Sequence, residues 1–297
     1  MKNQCTATLV QLTFEGDSDS VIDRMPAYFE QAADAGSDII VFPEYVLGTS
    51  ITVEHPRVKK FLKLAKKHKM HAIAGMVEVN SDRWSTTALI VDRNGGLVGR
   101  QYKTHPASGP PPHWWPPIKD WDGEARGYLG HRFEVFHLDF ARVGVLECYD
   151  GYFPESFACM SYAGAEVIFW INGREGQVED AFCITAASCY GCVVGGNITN
   201  GANTGFAAPQ GLPCVKAEGT PEESRLYPRV KKRGDAAVTA TIDLAKLRWH
   251  RKHLRQMHQR RPDLYGILTQ DVKMWLDYPD IPWDMPECAQ FTNKSQL

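Results

Sequence analysis

Apolar residues recur along the chain at two different periods, in alternation. ATLVQLTF is continuous enough for a buried strand, and SVIDRMPAYFEQAADAG then spaces its apolar residues as a helix that stops at Gly36. SDIIVFPE reads as a second buried strand, VKKFLKLAKKHK as a basic amphipathic helix, and HAIAGMVEV and STTALIVD as strands. Asn94-Gly95-Gly96 signals a hairpin turn into LVGRQYKTH, and HRFEVFHLD with ARVGVLECYD forms another hairpin. ESFACMSYAGA is a short helix, AEVIFWIN a strand, VEDAFCITAASCYG a helix, CVVGGNI a strand and AAVTATIDL the last strand. Paired strands separated by helices predict two sheets packed face to face, each covered on its outer side: an α/β fold of the four-layer α-β-β-α sandwich type.

Two segments escape the pattern. Residues 105–123, HPASGPPPHWWPPIKDWDG, are too rich in proline for regular structure and read as a long surface loop of the kind that often carries function. The chain therefore divides into a single domain over residues 1–270 and a proline-rich tail over 271–297. With 297 residues, 43% hydrophobic and 23% charged, it can bury a substantial core.

A formal net charge of -2 supplies no global field for nucleic acid or an anionic membrane, so neither is expected as a partner. No apolar run approaches the ~20 residues of a membrane span, and the first residues lack a secretory core, so a cytoplasmic protein is expected. LAKLRWHRKHLRQMHQRR does concentrate positive charge. Its Leu244, Leu247 and Leu254 recur near helical spacing, which favours a docked helix with a solvated basic face over a nucleic-acid site.

Eight cysteines in a chain of this kind read as free thiols. Cys189 and Cys192 form one CxxC without the second pair or the histidines of a zinc site, and are expected to be small buried thiols where a helix meets a strand. No metal is expected. Cys148 differs from the others in its setting, GVLECYDGYFPE: the strand must end there, Asp150-Gly151 begins a turn, and Pro154 opens a helix. A nucleophile on such a turn is presented at the sheet edge, near helix-terminal N–H groups that would stabilise a thiolate. A thiol also needs a proton acceptor, and none of the ten histidines sits in a local signature for that role. Glu44, at the end of the buried strand SDIIVFPE, is better placed, as either a paired, a capping or a catalytic carboxylate. Lys103 ends LVGRQYKTH, where a lysine is ordinarily a solvated edge residue.

Taken together, F-P-E at Glu44, Y-K-x-H around Lys103 and G-V-L-x-C-Y-D-G-Y-F-P-E at Cys148 resemble the three signatures of the carbon-nitrogen hydrolase, or nitrilase, superfamily, in that family's order. RRPDLY at 260–265 is similar to a segment near the family's C-terminus, so the resemblance covers roughly residues 5–265. It implies a cofactor-free enzyme in which Glu44 is the general base, Cys148 the nucleophile that forms a thioester, and Lys103 with the Tyr149 N–H the holder of the oxyanion. It also implies a second glutamate between lysine and cysteine, matched by Glu124 in GEARGYLG, that positions substrate and lysine. His105, Asp150 and Glu155 read as supporting residues.

C-Y-D after the strand, rather than C-W-E, favours amides over nitriles, and Gly151-Tyr152 stand where carbamoylases carry an arginine pair. The stretch is similar to the formamidase and aliphatic amidase branch, although the tryptophan-rich loop is not. Hydrolysis of a small non-peptide amide is thus expected, with carbamoyl or nitrile substrates, acyl transfer to an amine, or a catalytically silent scaffold as alternatives. Asn172 and Arg174 end the strand AEVIFWIN at the same sheet edge; Arg174 would bind a substrate carboxylate or pair with Glu175 or Glu179. Trp115, with Trp114 and Trp121, would line an aromatic pocket or pack at a subunit interface. Family members assemble as homodimers or larger homo-oligomers, which the tail would suit. Glu147, where the family has an aliphatic residue, should point away from Cys148 into the opposite face, needing an ion pair or hydrogen-bond network to be buried there.

Overall fold

The structure, a computed structural model, describes residues 2–81, 83–107, 124–209, 215–216 and 226–270. The tail 271–297 and most of the proline-rich loop, with Trp114, Trp115 and Trp121, lie outside the described residues.

Two large sheets account for most of the strands among them. The first runs in the order β13 (Val215–Lys216), β15 (Ala236–Asp243), β1 (Gln4–Gln11), β2 (Ile39–Val41), β3 (His71–Asn80), β4 (Arg83–Val91) and β5 (Leu97–Tyr102). The second runs β14 (Leu226–Val230), β12 (Thr204–Ala207), β10 (Val193–Ile198), β8 (Val167–Asn172), β7 (Arg142–Glu147) and β6 (Val135–His137). A short ribbon, β9 (Gly176–Gln177) with β11 (Gly201–Ala202), stands beside them. In each sheet the middle strands are parallel: β1-β2-β3 in the first and β7-β8-β10 in the second. Their C-terminal ends consequently gather at one edge, where ligands bind in open α/β sheets.

The period of two along each central strand separates three apolar layers. Val143 and Val145 of β7, with Val167, Phe169 and Ile171 of β8, pack between the sheets against Ala7, Leu9, Ile39 and Ile73 of the first sheet. Their neighbours Leu146, Ile168 and Trp170 point the other way, onto α3 (Pro154–Tyr162) and α4 (Asp180–Tyr190) through Phe157, Met160, Cys183 and Ala187. On the far side, α1 (Ser18–Asp34) and α2 (Pro56–His68) cover the first sheet with Val21, Met25, Phe29, Val58 and Phe61. The helical spacing of those five residues is what marked both helices in the sequence. These layers make the α-β-β-α sandwich.

The last helix, α5 (Leu244–His253), buries Leu244 and Leu247 in the layer between the sheets, while Leu254 at its C-cap is only partly covered. Its basic residues are not all solvated, contrary to the face read from sequence. Arg248 reaches the buried carboxylate of Glu166 at 2.6 Å, and Arg251 donates to the Ser161 and Gly191 carbonyl oxygens at 2.9 Å each. Arginine at these positions therefore anchors the helix as well as charging it. Cys192 is buried as expected for a helix-to-strand junction, whereas Cys189 is exposed, and all six cysteines among the described residues are free.

Two asparagine amides tie the backbone together at the shared edge. Asn197 of β10 donates across the gap to the carbonyl oxygens of Val10 (3.1 Å) and Val41 (2.9 Å), and Asn172 donates to those of Trp170 (3.1 Å) and Asn197 (3.0 Å). Gly75 of β3 lies against the backbone that leaves β2: an added Cβ would stand 2.6 Å from Glu44 Cα. Because that contact is with main chain, Gly75→Ala is expected to push the Glu44 segment aside. Urea denaturation should show a loss of about 1–3 kcal/mol.

Candidate active site

Three charged residues that are far apart in sequence meet where the parallel strands end. Glu44 follows β2, Lys103 follows β5, and Glu124 opens a single 3-10 turn, Glu124–Arg126. Lys103 Nζ stands 3.1 Å from Glu44 Oε1 and 2.8 Å from Glu124 Oε1. The side chain of Glu44 is wholly buried and that of Lys103 is 2% exposed, so the lysine is no edge charge. The second oxygen of Glu44 accepts from Gly173 N at 2.8 Å, which ties the cluster to the segment after β8 in the other sheet. Tyr45, held at a positive φ of 66°, donates its hydroxyl to Glu124 Oε1 at 2.5 Å, and Ala107 N donates to Oε2.

One ammonium between two carboxylates cannot satisfy both equally, and the environment divides them. Burial raises the Glu44 carboxyl above its ordinary value, with Glu124 adding repulsion, and Lys103 only partly offsets this. Glu124 suffers less desolvation; the Lys103 charge and hydrogen bond, with the Tyr45 and Ala107 donors, bring it below its ordinary value. Burial also works against the Lys103 charge, but Glu44, Cys148, Tyr45 and Glu124 outweigh it and hold the ammonium well above its usual range. Glu124 is thus the resident counter-ion and Glu44 the more basic carboxylate. Divergent environments of this kind mark acid and base roles.

Cys148 is the first residue past β7, at a φ of 45°, a conformation L side chains rarely adopt outside asparagine and aspartate. Holding it there costs about 1–3 kcal/mol, so the surroundings must over-determine it. They do so from both sides. Trp170 Nε1 donates to the Cys148 carbonyl oxygen at 2.7 Å, and Gly151 is the residue that lets the indole pass, since a Cβ there would lie 2.3 Å from the ring. Asp150 binds the turn to the lysine segment: its Oδ1 accepts from Thr104 N (3.1 Å), Thr104 Oγ1 (2.7 Å), His105 N (2.8 Å) and His105 Nδ1 (3.1 Å), and its Oδ2 from Glu147 N (3.1 Å). His105 stacks on Phe153, with ring centroids 4.0 Å apart.

The turn after Cys148 is a five-residue 3-10 helix, Cys148–Tyr152, with α3 beginning only at Pro154. It does not deliver the thiolate expected from sequence. Burial pushes the thiol up to about 12, with the Glu44 charge adding to burial against the opposing pull of Lys103 and Arg174. The resting group is a neutral thiol, which needs a base beside it to act as a nucleophile.

Among the other residues singled out by sequence, Asn172 is wholly buried and its amide is committed to backbone carbonyls. Arg174 lies near enough to Cys148 to influence its titration, and its guanidinium pairs with Glu179 Oε2 at 2.6 Å over the rings of Tyr152 and Trp170. Tyr152 donates to the other oxygen of the same glutamate at 2.8 Å. Tyr45 went unread in the sequence, although its place directly after the F-P-E signature was the available signal. Glu147 keeps the inward parity of β7 and meets no cation: its side chain takes part in a capping box with Asp150, Oε1 accepts from Ala88 N at 3.2 Å, and Oε2 has no hydrogen-bond partner among the described residues. Of the ion pair or hydrogen-bond network expected from sequence, only hydrogen bonds are present among the described residues, and burial, followed by repulsion from Glu44 and Asp150, keeps its carboxyl well above the ordinary range. No cluster of three metal-binding side chains and no helix long and apolar enough to cross a membrane occurs among the described residues.

The carbon-nitrogen hydrolase family model matches residues 6–187, and the chain belongs to that family. Similar proteins include a Francisella tularensis citrullinase, 24% identical over 88% of this chain and 97% of its own length. A Bacillus cereus formamidase is 29% identical over 52% of this chain, a match that spans 46% of the formamidase. In three dimensions the chain is similar to an amidase mutant from Nesterenkonia sp. AN1, with a TM-score of 0.68 at 13% identity over 89% of this chain and 97% of that one.

The Asp150 hub generates a direct test of how the turn is held. Asp150→Ala leaves the part-buried donors of Thr104 and the buried Glu147 N without that acceptor, so calorimetry should register a loss of about 1–3 kcal/mol. Asp150→Asn keeps one acceptor oxygen and should lose less.

Proposed function

We propose that the protein hydrolyses a small non-peptide amide to a carboxylic acid and ammonia or an amine, through a thioester on Cys148. The observation that carries this reading is Cys148 on a strained turn, close enough to a buried Lys103–Glu44 pair for both charges to bear on its thiol. Glu44 takes the Sγ proton as the sulfur attacks the carbonyl carbon, and Lys103 with the Tyr149 N–H holds the oxyanion. As the C–N bond breaks, the proton on Glu44 passes to the leaving nitrogen. Glu44 then draws a proton from water, hydroxide adds to the thioester, and the acid departs while the thiol regains its proton. Glu124 keeps Lys103 charged and aimed.

The names of the relatives, citrullinase and formamidase, support small acyl donors, as does the cysteine adduct of the Nesterenkonia amidase named for the acetamide moiety of fluoroacetamide. Arg174 near Cys148 already pairs with Glu179, so it would hold an acidic substrate group only in exchange for that partner, and a homodimer or larger assembly accords with the family. A panel of formamide, aliphatic amides, citrulline and nitriles, scored by ammonia release, tests the class. Release from nitriles but from neither amides nor citrulline would sink the reading. Intact-mass analysis of Glu44→Gln with a turned-over substrate should show an acyl adduct that Cys148→Ala removes.

The pH dependence has a definite sign. Glu44 acts as base only when ionised, and its carboxyl is raised above 4.5, so activity should be lost as pH falls through that raised value. The acidic limb of kcat/KM is expected above 4.5, and Glu44→Gln should lower kcat by at least about a hundredfold.

A further inference from the structure

Two fully buried acids at the site edge have no part in the reaction scheme: Asp150, whose oxygens accept five hydrogen bonds, and Glu147, which lacks such a set of donors. Glu147 continues the inward parity of Val143 and Val145, opposite Ile171 of β8, and so sits at the top of the layer between the sheets. Its Oε1 bonds Ala88 N on β4, a strand of the other sheet, at 3.2 Å. Two residues earlier on β4, the Thr86 carbonyl accepts from Lys103 N at 3.0 Å. A short path of bonded groups therefore runs from the nucleophile through Glu147 and β4 to the oxyanion lysine. Asp150 makes the second such path, through Thr104 and His105.

The carboxyl has no cation partner, and Oε2 is buried without any hydrogen bond among the described residues. An ionised carboxylate in that position is not tolerable, whereas a neutral acid is. The charged groups that bear on it are Glu44 after β2, Lys103 after β5, Glu124 of the 3-10 turn and Asp150 of its own turn: three acids against a single lysine. A fourth negative charge would also fall on Glu44, the proposed base.

We propose that Glu147 is a positioning residue, a permanently un-ionised acid that tethers the nucleophile strand to Ala88 and thereby sets Cys148 against Lys103. Burial and the neighbouring acids point the same way, raising its carboxyl well above the ordinary range. The activity half of this proposal rests on the amidase reading; the ionisation half does not.

The sign of the folding test follows from proton uptake. An acid raised in the folded state binds a proton that the unfolded chain has released, so stability falls as pH rises between the unfolded and folded values. Relative to Glu147→Gln, the wild-type folding equilibrium should fall about tenfold per pH unit above 4.5, up to the raised value. Urea denaturation of both proteins across pH reads this, and parallel curves would overturn the proposal. The infrared spectrum supplies a readout that needs no glutamine variant. Wild type at neutral pH should show the carbonyl stretch of an un-ionised carboxylic acid that Glu147→Leu lacks, and its absence would equally overturn the tether.

For turnover, Glu147→Leu should lower kcat about ten- to a hundredfold with little change in KM, and Glu147→Gln, which retains an acceptor for Ala88 N, should recover most of the loss. A leucine variant that turns over like wild type overturns the positioning role. A wild type that hydrolyses nothing removes the proposed function instead, and the folding and infrared readouts still decide whether Glu147 is neutral.

Discussion

A buried ammonium is the constraint around which this molecule is arranged. Lys103 cannot hold its charge at that depth without two carboxylates within hydrogen-bond reach, and those come from the end of β2 and from a turn beyond the proline-rich loop. Bringing three charges together in an apolar interior requires strands that stop at one edge, which the parallel order of both sheet centres supplies. Local strain gathers at the same place: Tyr45, whose hydroxyl bonds Glu124, and Cys148, the first residue past β7, both hold positive φ values. The electrostatic cost is distributed rather than removed. Glu124 takes the charge, Glu44 takes the proton affinity, and the thiol stays neutral.

Much of this was legible in the chain because the apolar periods are clean. Phe29 and Phe61 announce helices by spacing, and the unbroken apolar run over 167–171 announces a strand buried on both faces. The short edge elements β9, β11, β13 and β14 were not readable, since two to five residues carry no period and their pairing depends on partners elsewhere. Glu44, Lys103, Cys148 and Glu124 were found through motifs whose members are all drawn into one cluster. What sequence could not supply was the direction of each shift. Cys148 looked like a candidate thiolate because a helix follows it, but depth of burial and the charge of Glu44 decide otherwise.

Arg174 and Arg248 show the same limit from another side. Arg174 stands just past a strand and Arg248 inside a helix, and neither spacing nor composition distinguishes a substrate clamp from an anchor. Only the structure shows one pairing with Glu179 close to the nucleophile and the other gripping Glu166 under the last helix. The Ala88 partner of Glu147 was equally out of reach, because it belongs to the opposing sheet.

The asparagine at 197 has a consequence for how the protein comes apart. Its amide grips two carbonyls of the first sheet from a strand of the second, and Leu12 continues the join with hydrogen bonds to Ile198 and Asn200. Glu44 and Lys103 ride on one sheet and Cys148 on the other, so their arrangement exists only while the sheets are in register. Sliding or parting them would strand buried amides at the shared edge, which opposes partial opening there. The cooperativity of unfolding and the charged cluster therefore share one seam, and an intermediate with separated sheets would lose the cluster's arrangement together with those bonds.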